Sequence, residues 1–195
     1  MAPPKFAKFN GKAILITGAA SGIGAATARH LASQGYVLGL SDINEKLLTL
    51  VSGSISEAYP EAIWSAKYLD VSEAEQVDKW IGDIANELPA WLGIHGIFNC
   101  AGVNPTPTAL QNTTDEYFHK LVSVNLQGTF NVCRAAADYL KRGAVVVNVS
   151  SIMGLHPSAM NSVYCATKYA VIGFSKSLAL EWGPKGIRVN VVAPG

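Results

Sequence analysis

Ala13-Ile14-Leu15-Ile16-Thr17-Gly18-Ala19-Ala20-Ser21-Gly22-Ile23-Gly24 is the stretch that decides the fold. Its first five residues form a short, nearly continuous apolar run. That is the pattern of a strand buried on both faces. Glycines at the following turn permit backbone angles and close approaches that a side chain forbids. The residues beyond Gly24 read as a helix, so the turn aims free N–H groups and the positive end of a helix dipole outward. Strand, glycine turn and helix in that order predict a pyrophosphate site built from Gly18, Ser21, Gly22, Ile23 and Gly24. The spacing is G-x-x-x-G-x-G rather than the commoner G-x-G-x-x-G.

Outward from this unit, short apolar runs alternate with helical patterns. Further strands are expected at Val37–Ser41, Ala66–Leu69, Gly96–Asn99, Ala144–Val149 and Arg188–Val192. A capping box at Ser72-Glu73-Ala74-Glu75 opens a helix whose apolar stripe is Val77, Ile81, Ile84 and Leu88. A similar box at Thr113 and Glu116 opens a long helix toward Arg142, with Phe118, Leu121, Val122 and Leu126 on its apolar face. A last helix carries Tyr164, Val171, Phe174, Leu178 and Leu180, and Gly183-Pro184 stops it. This alternation predicts an α/β fold: a Rossmann-like, doubly wound parallel sheet in three α/β/α layers. Residues 1–11 read as a loose arm, and residues 12–195 as one dinucleotide-binding catalytic domain.

Composition narrows the function. The 195 residues are 49% hydrophobic and 15% charged, with a net charge of +1. No basic run favours nucleic acid or an acidic membrane surface. No apolar run has the length of a membrane span, and the first residues lack the apolar core of a signal peptide. The three cysteines have no metal or CxxC spacing, so no metal is expected, and they fit a reducing, cytoplasmic setting.

Two clusters point to chemistry. The second strand ends at Asp42, about 20 residues past the glycines, where an acid hydrogen-bonds the ribose hydroxyls of NAD and repels the extra phosphate of NADP. No cation stands at Ala19, Ala20 or Ile43, so NAD is expected and NADP less so. Asp70-Val71 follows the third strand, and Asp70 either accepts from an adenine amine or caps the next helix. At the other end, Asn148-Val149-Ser150-Ser151 closes the fifth strand, where an open parallel sheet holds its ligands. Tyr164 and Lys168 lie four apart on one helix face. A free tyrosine titrates near pH 10, and bringing it to about 7 takes roughly 4 kcal/mol of differential stabilisation. A neighbouring ammonium acts in that direction.

Thr17-Gly18-x-x-x-Gly22-Ile23-Gly24, Asp70, Asn99-Cys100-Ala101-Gly102, Asn125, Ser151, Tyr164-x-x-x-Lys168 and Pro194-Gly195 occur in the order of the motifs of the short-chain dehydrogenase/reductase (SDR) family, which the chain resembles from Lys12 to its last residue. The resemblance implies an NAD-dependent oxidoreductase that interconverts a secondary alcohol and a ketone. Tyr164 is then the general acid/base, Lys168 lowers its pKa and holds the nicotinamide ribose, and Ser151 (with Ser150 as rival) hydrogen-bonds the reacting oxygen. Asn125 holds a relay water. Asn99, Ala101 and Gly102 line the adenosine-ribose side, and Pro194 and Gly195 approach the nicotinamide. Cys100 replaces the second asparagine of the family pattern with little expected consequence. The resemblance also implies a small-molecule alcohol or ketone substrate and a homodimer or homotetramer. It leaves open a lyase or epimerase that recycles its nicotinamide, or a non-catalytic nucleotide-binding subunit. The sequence stops at Gly195, without the family's C-terminal helix and last strand, and an incomplete view of a normal enzyme is the expectation.

Overall fold

A computed structural model describes residues 11–89, 91–103 and 106–195. Its elements are β1 (Ala13–Thr17), α1 (Gly22–Ser33), β2 (Val37–Asp42), α2 (Glu45–Ala58), β3 (Ile63–Tyr68), α3 (Ala74–Glu87), β4 (Ile94–Asn99), α4 (Asp115–Leu121), α5 (Gly128–Ala136), β5 (Leu140–Val149), α6 (Ser162–Trp182) and β6 (Arg188–Val192). The strands form one six-stranded sheet in the order β3-β2-β1-β4-β5-β6. Every pairing is parallel. Expected residues 1–10 of the arm lie outside the described residues.

Side chains alternate across the strands and so divide the interior into two cores. Ile16, Leu38 and Leu40 pack with Ala25, Ala28, Leu48 and Ile55 of α1 and α2. Leu15, Ile97, Val146 and Val189 pack with Ile81, Val132 and Leu178 of α3, α5 and α6. These are the three layers that the strand–helix alternation predicts. The chain winds from β1 to β3 in one direction and from β4 to β6 in the other, so the order reverses between β1 and β4. A crevice opens outside the carboxyl ends of strands at such a point.

Two residues without side chains make that crevice possible. Gly18 has φ +67°, and a Cβ there would lie 2.7 Å from the Ala101 backbone nitrogen. A Cβ on Gly24 would overlap the Gly18 carbonyl oxygen. The end of β1, the start of α1 and the segment after β4 therefore meet backbone to backbone.

The boundaries depart from the expected ones in several places: β3 runs over Ile63–Tyr68 rather than Ala66–Leu69, β4 starts at Ile94 rather than Gly96, and β2 extends to Asp42. The helix aimed at Arg142 ends at Ala136, and β5 already begins at Leu140. Pairing of Leu140 with Ile94 draws Lys141 and Arg142 into a strand despite their helical character. Between α4 and α5 the helix widens into a π segment, Val122–Gln127, which no periodicity announces. The Ser72 box does not form, because the Asp70 carboxylate takes both the Ser72 amide (2.9 Å) and the Ser72 hydroxyl (2.6 Å), and α3 starts only at Ala74. The second cap falls one residue later than expected, on Thr114, which accepts from the Tyr117 amide. Two residues assigned to apolar faces point outward. Leu180 is 81% exposed because it stands two positions beyond buried Leu178, slightly more than half a turn around α6 and so on the opposite face. Phe118 is exposed and packs edge-on against its neighbour His119.

Gly18→Ala adds a methyl where backbone already stands and holds it at positive φ. It is expected to cost about 3 kcal/mol, read as a lower urea midpoint. Gly173→Ala on α6, whose Cβ would meet nothing within 4 Å, is the control. It should leave the midpoint unchanged or raise it by up to about 1 kcal/mol.

Candidate active site

A cleft of about 1020 Å³ runs along the carboxyl edge of the sheet. One end is the glycine turn. Gly18, Ser21, Gly22 and Ile23 line it, and a Cβ on Gly22 (φ +48°) would point into open space. Gly24 stands behind this wall and shapes it by letting α1 approach Gly18. Asp42 also lines the cleft, with its carboxylate fixed by two backbone donors, the Ala20 amide at 2.9 Å and the Asn44 amide at 2.8 Å. Asp70 and Val71 line the same end. Asp70 closes the turn at Ser72 rather than capping a helix.

The middle of the cleft is the segment after β4. Ala101 and Gly102 line it, and the Ala101 amide donates to Thr17 Oγ1 at 3.2 Å. Asn99 does not reach the cleft. Strand alternation turns its side chain into the core, where it donates to Asn148 Oδ1 at 2.9 Å. The same alternation brings Cys100 to the cleft wall. Burial raises the Cys100 thiol pKa, and the nearby Lys168 charge opposes that shift. Cys100 is thus closer to the chemistry than the sequence reading allowed, and the orientation of Asn99 is the signal that would have placed it.

The other end carries Ser151, Tyr164 and Lys168, with Pro194 and Gly195 beside them. Ser151 Oγ accepts from the Met153 amide at 3.1 Å. The neighbouring Ser150 also lines the cleft, but it is buried and its hydroxyl donates to the Lys168 carbonyl at 2.8 Å, whereas the Ser151 hydroxyl is the one hydrogen-bonded to Tyr164. Lys168 is 5% exposed, and its Nζ donates to the Val149 carbonyl at 3.1 Å. That Nζ stands over the Tyr164 ring, 5.6 Å from the centroid.

Burial governs both ionisations. It lowers the Lys168 pKa to about 8, against a smaller opposite effect of Cys100. It raises the Tyr164 pKa, with a hydrogen bond from Ser151 pulling the other way. The depression of Tyr164 by Lys168 expected from their spacing is therefore not what the chain alone produces. The ammonium is committed to a carbonyl and sits over the ring face.

Asn125 lies in the π segment and is 1% exposed. Its amide accepts from the Val103 N–H at 2.8 Å and donates to the Val103 carbonyl at 3.1 Å. It does not line the cleft. However, a Cβ on Gly102 would lie 3.2 Å from Asn125 Oδ1 and 3.4 Å from Lys168 Nζ, so the two groups flank one narrow space. Asn131, which the sequence reading passed over, is buried and donates to the Val71 carbonyl at 2.9 Å, holding that loop against the cleft. Nothing in its spacing distinguishes it from a surface helix asparagine. Among the described residues, no cluster of three or more metal-ligating side chains exists and no helix is long and apolar enough to cross a membrane.

The family description "short chain dehydrogenase" matches residues 12–195. The 2,5-dichloro-2,5-cyclohexadiene-1,4-diol dehydrogenase LinX of Sphingobium indicum is 37% identical over 187 residues, covering 95% of this chain and 72% of its own length. A crystal structure of levodione reductase superimposes with a TM-score of 0.89 at 33% identity, covering 96% of this chain and 72% of that one. A short chain dehydrogenase from Burkholderia cenocepacia J2315, in complex with NADP, superimposes with a TM-score of 0.87 at 31% identity, covering 95% of this chain and 74% of that one.

The Lys168 environment has a consequence for stability. A lysine whose folded pKa is about 8 against an ordinary 10.5 binds fewer protons in the folded state between those values. Stability rises with pH across that window, by on the order of 3 kcal/mol at most. Lys168→Met removes this dependence. Its urea midpoint relative to the parent is therefore expected to be highest below pH 8 and to fall steadily toward pH 10.5. A gap that stays constant from pH 7 to 10 would contradict the buried-ammonium assignment.

Proposed function

The chain belongs to the short chain dehydrogenases, and from that premise we propose that it interconverts a secondary alcohol and a ketone with NAD(H), using Tyr164 as general acid/base. The observation that carries this reading is convergence. Ser151, Tyr164 and Lys168 share one cleft with the glycine turn and Asp42.

The residues fit a dinucleotide. Gly22 opens onto empty space at the N-terminus of α1, where backbone N–H groups and the helix dipole favour a pyrophosphate. Asp42 is held by backbone donors where a ribose diol would be recognised, and it repels a 2′-phosphate. This supports NAD over NADP, although the Burkholderia relative was solved with NADP. Asp70, Val71, Ala101 and Gly102 form the walls of the adenosine side, with Asn99 and Gly24 as their supports, and Pro194 and Gly195 border the nicotinamide end.

A bound nicotinamide supplies the hydride exchange itself. The chain does the rest. In the oxidative direction Tyr164 takes the hydroxyl proton of the substrate, and Ser151 donates to the same oxygen as charge develops on it. In reduction the proton returns from Tyr164 to the carbonyl oxygen. Lys168, still largely protonated at neutral pH, favours the phenolate once the site is closed to water, and it meets Asn125 across the space beside Gly102, the place for a relay water. Residues 12–195 act as one catalytic domain in this reading.

The substrate is a small alcohol or ketone. The diol in the name of the LinX relative is a compound of that kind. A cytoplasmic homodimer or homotetramer completes the proposal. Phe130 and Phe174 pair edge-to-face between α5 and α6 at 6.3 Å, with Phe130 and Leu180 left exposed on those helices, as a helix-to-helix contact between copies requires.

Turnover is followed as NADH absorbance on a panel of cyclic and acyclic secondary alcohols. Tyr164→Phe should lower the rate by about 10³-fold while the NADH dissociation constant stays within about twofold. A folded variant that had lost NADH binding would place Tyr164 in binding rather than in proton transfer. Net NADH accumulation also separates this reading from a lyase or epimerase, which returns its nicotinamide to the starting state. Asp42→Ala should raise the ratio of NADP to NAD efficiency by about tenfold, the effect of removing roughly 1.4 kcal/mol of repulsion. An unchanged ratio would free Asp42 from the selectivity role.

A further inference from the structure

We propose that Ser175 is a positioning residue for the Tyr164–Lys168 pair, acting through a buried hydrogen-bond chain that fixes α6 against the end of β5. The chain begins at Asn99 on β4. Asn99 Nδ2 donates to Asn148 Oδ1 at 2.9 Å, Asn148 Nδ2 donates to Ser175 Oγ at 2.8 Å, and Ser175 Oγ donates to the Val171 carbonyl at 2.6 Å. Asn148 is 0% exposed and Ser175 is 1% exposed. The thiol of Cys133 borders the same asparagines and stays neutral, because burial pushes its pKa up to about 12.

Three features assign positioning rather than filling. First, burying these amides and this hydroxyl costs free energy that an apolar set of equal volume would not, and Asn99 Oδ1 is left buried without a partner; the hydrogen bonds of Asn148 and Ser175 are satisfied, and it is this part that fixes one geometry. Second, Ser175 follows Lys168 by seven residues and Tyr164 by eleven, about two and three turns, so all three project from one face of α6. Third, consecutive residues at the end of β5 and just beyond it hold the same face. Asn148 binds Ser175, the Val149 carbonyl accepts from Lys168 Nζ, and Ser150 Oγ donates to the Lys168 carbonyl. The two Lys168 ties alone let α6 pivot about that residue. The Ser175 tie, about 10 Å along the axis, is the directional hydrogen bond that opposes the pivot, beside the non-directional packing of Leu178 and Trp182 in the core. A pivot at Lys168 would move Tyr164, one turn away, relative to Ser151.

The proposal rests on Tyr164 as the acid/base, and its test needs no substrate. Tyrosine labelled with ¹³C at Cζ and lysine labelled at Cε are titrated by NMR in the full chain, with Tyr164→Phe and Lys168→Arg used only for assignment. Loosening the helix reduces the burial that shifts both groups. In Ser175→Ala the Tyr164 midpoint should therefore fall, and the Lys168 midpoint should rise from about 8 by about one unit. The other titratable groups facing the pair, Cys100 toward Lys168 and Cys165 beside Tyr164, are untouched by the substitution. Ser175→Thr, which keeps the hydroxyl, should return both midpoints to the parent values. Ser177→Ala, exposed on the same helix, should move neither. If Ser175→Ala does not fold, Ser175→Cys, close in size with only a weak hydrogen-bonding group, is read in the same way. Parent-like midpoints in a destabilised Ser175→Ala, or failure of Ser175→Thr to restore them, would reduce Ser175 to a structural residue. Either result leaves the Tyr164 reading standing, since that one fails only on turnover and NADH binding.

Discussion

Three stretches of backbone meet at Gly18 with no side chain between them, and the rest of the site depends on that contact. The strand β1 turns there at positive φ, the segment after β4 passes at Ala101, and α1 starts close enough that Gly24 has no room for a methyl. A parallel sheet that reverses its winding between β1 and β4 leaves a gap between the loops at that point. Because the glycines let the loops close in from below, the gap becomes a bounded cleft rather than an open groove. The Ala101 amide then reaches Thr17, which ties the two central strands together at the cleft floor.

Burial at the opposite end sets the electrostatics. The same dry surroundings raise Tyr164 and lower Lys168, so the chain by itself disfavours both ions. A site that disfavours charge in this way is one where each charge-stabilising contact counts for more than it does in water. The hydrogen bond from Ser151 already works against the upward shift of Tyr164. The four-residue spacing read from sequence places the two side chains on one face, but not which atom the ammonium touches. Lys168 Nζ spends a donor on the Val149 carbonyl, a partner contributed by a strand some twenty residues earlier.

Much of this was legible in advance where the signal is local. The strands at Ala13–Thr17 and Arg188–Val192 match to the residue, since short apolar runs bounded by turn residues have few alternatives. Gly18, Gly22, Asp42, Ser151, Tyr164 and Lys168 all reach one cleft, because strand ends in such a sheet share an edge. What escaped the sequence depends on distant partners. Lys141 and Arg142 look like a helix C-terminus until Leu140, just before them, pairs with Ile94 of β4. The π segment around Asn125 has no periodic signature, and Asn125 itself is spent on Val103 rather than facing the cleft. Asn99 and Cys100 exchange their expected roles because a two-residue period decides which of them faces the core.

That exchange has a wider basis. Where the strands leave the sheet, the residues turned inward are short and polar: Thr17, Ser41, Asn99, Asn148 and Ser150, every one of them buried. Backbone groups at a strand end lose their ladder partners and need others. Thr17 accepts from the Ala101 amide, Ser41 Oγ donates to the Ile16 carbonyl at 3.4 Å, and Ser150 Oγ donates to the Lys168 carbonyl. Asn99 and Asn148 instead bond to each other. A polar layer therefore lies beneath the cleft floor, between the apolar core and the ligand edge. It is directional in a way that apolar packing is not. An apolar layer of equal volume would keep the sheet together and yet let the strand ends and α6 settle at slightly different depths. The cost of burying these groups at one edge of the sheet, and not at the other, is the cost of holding that edge in one arrangement.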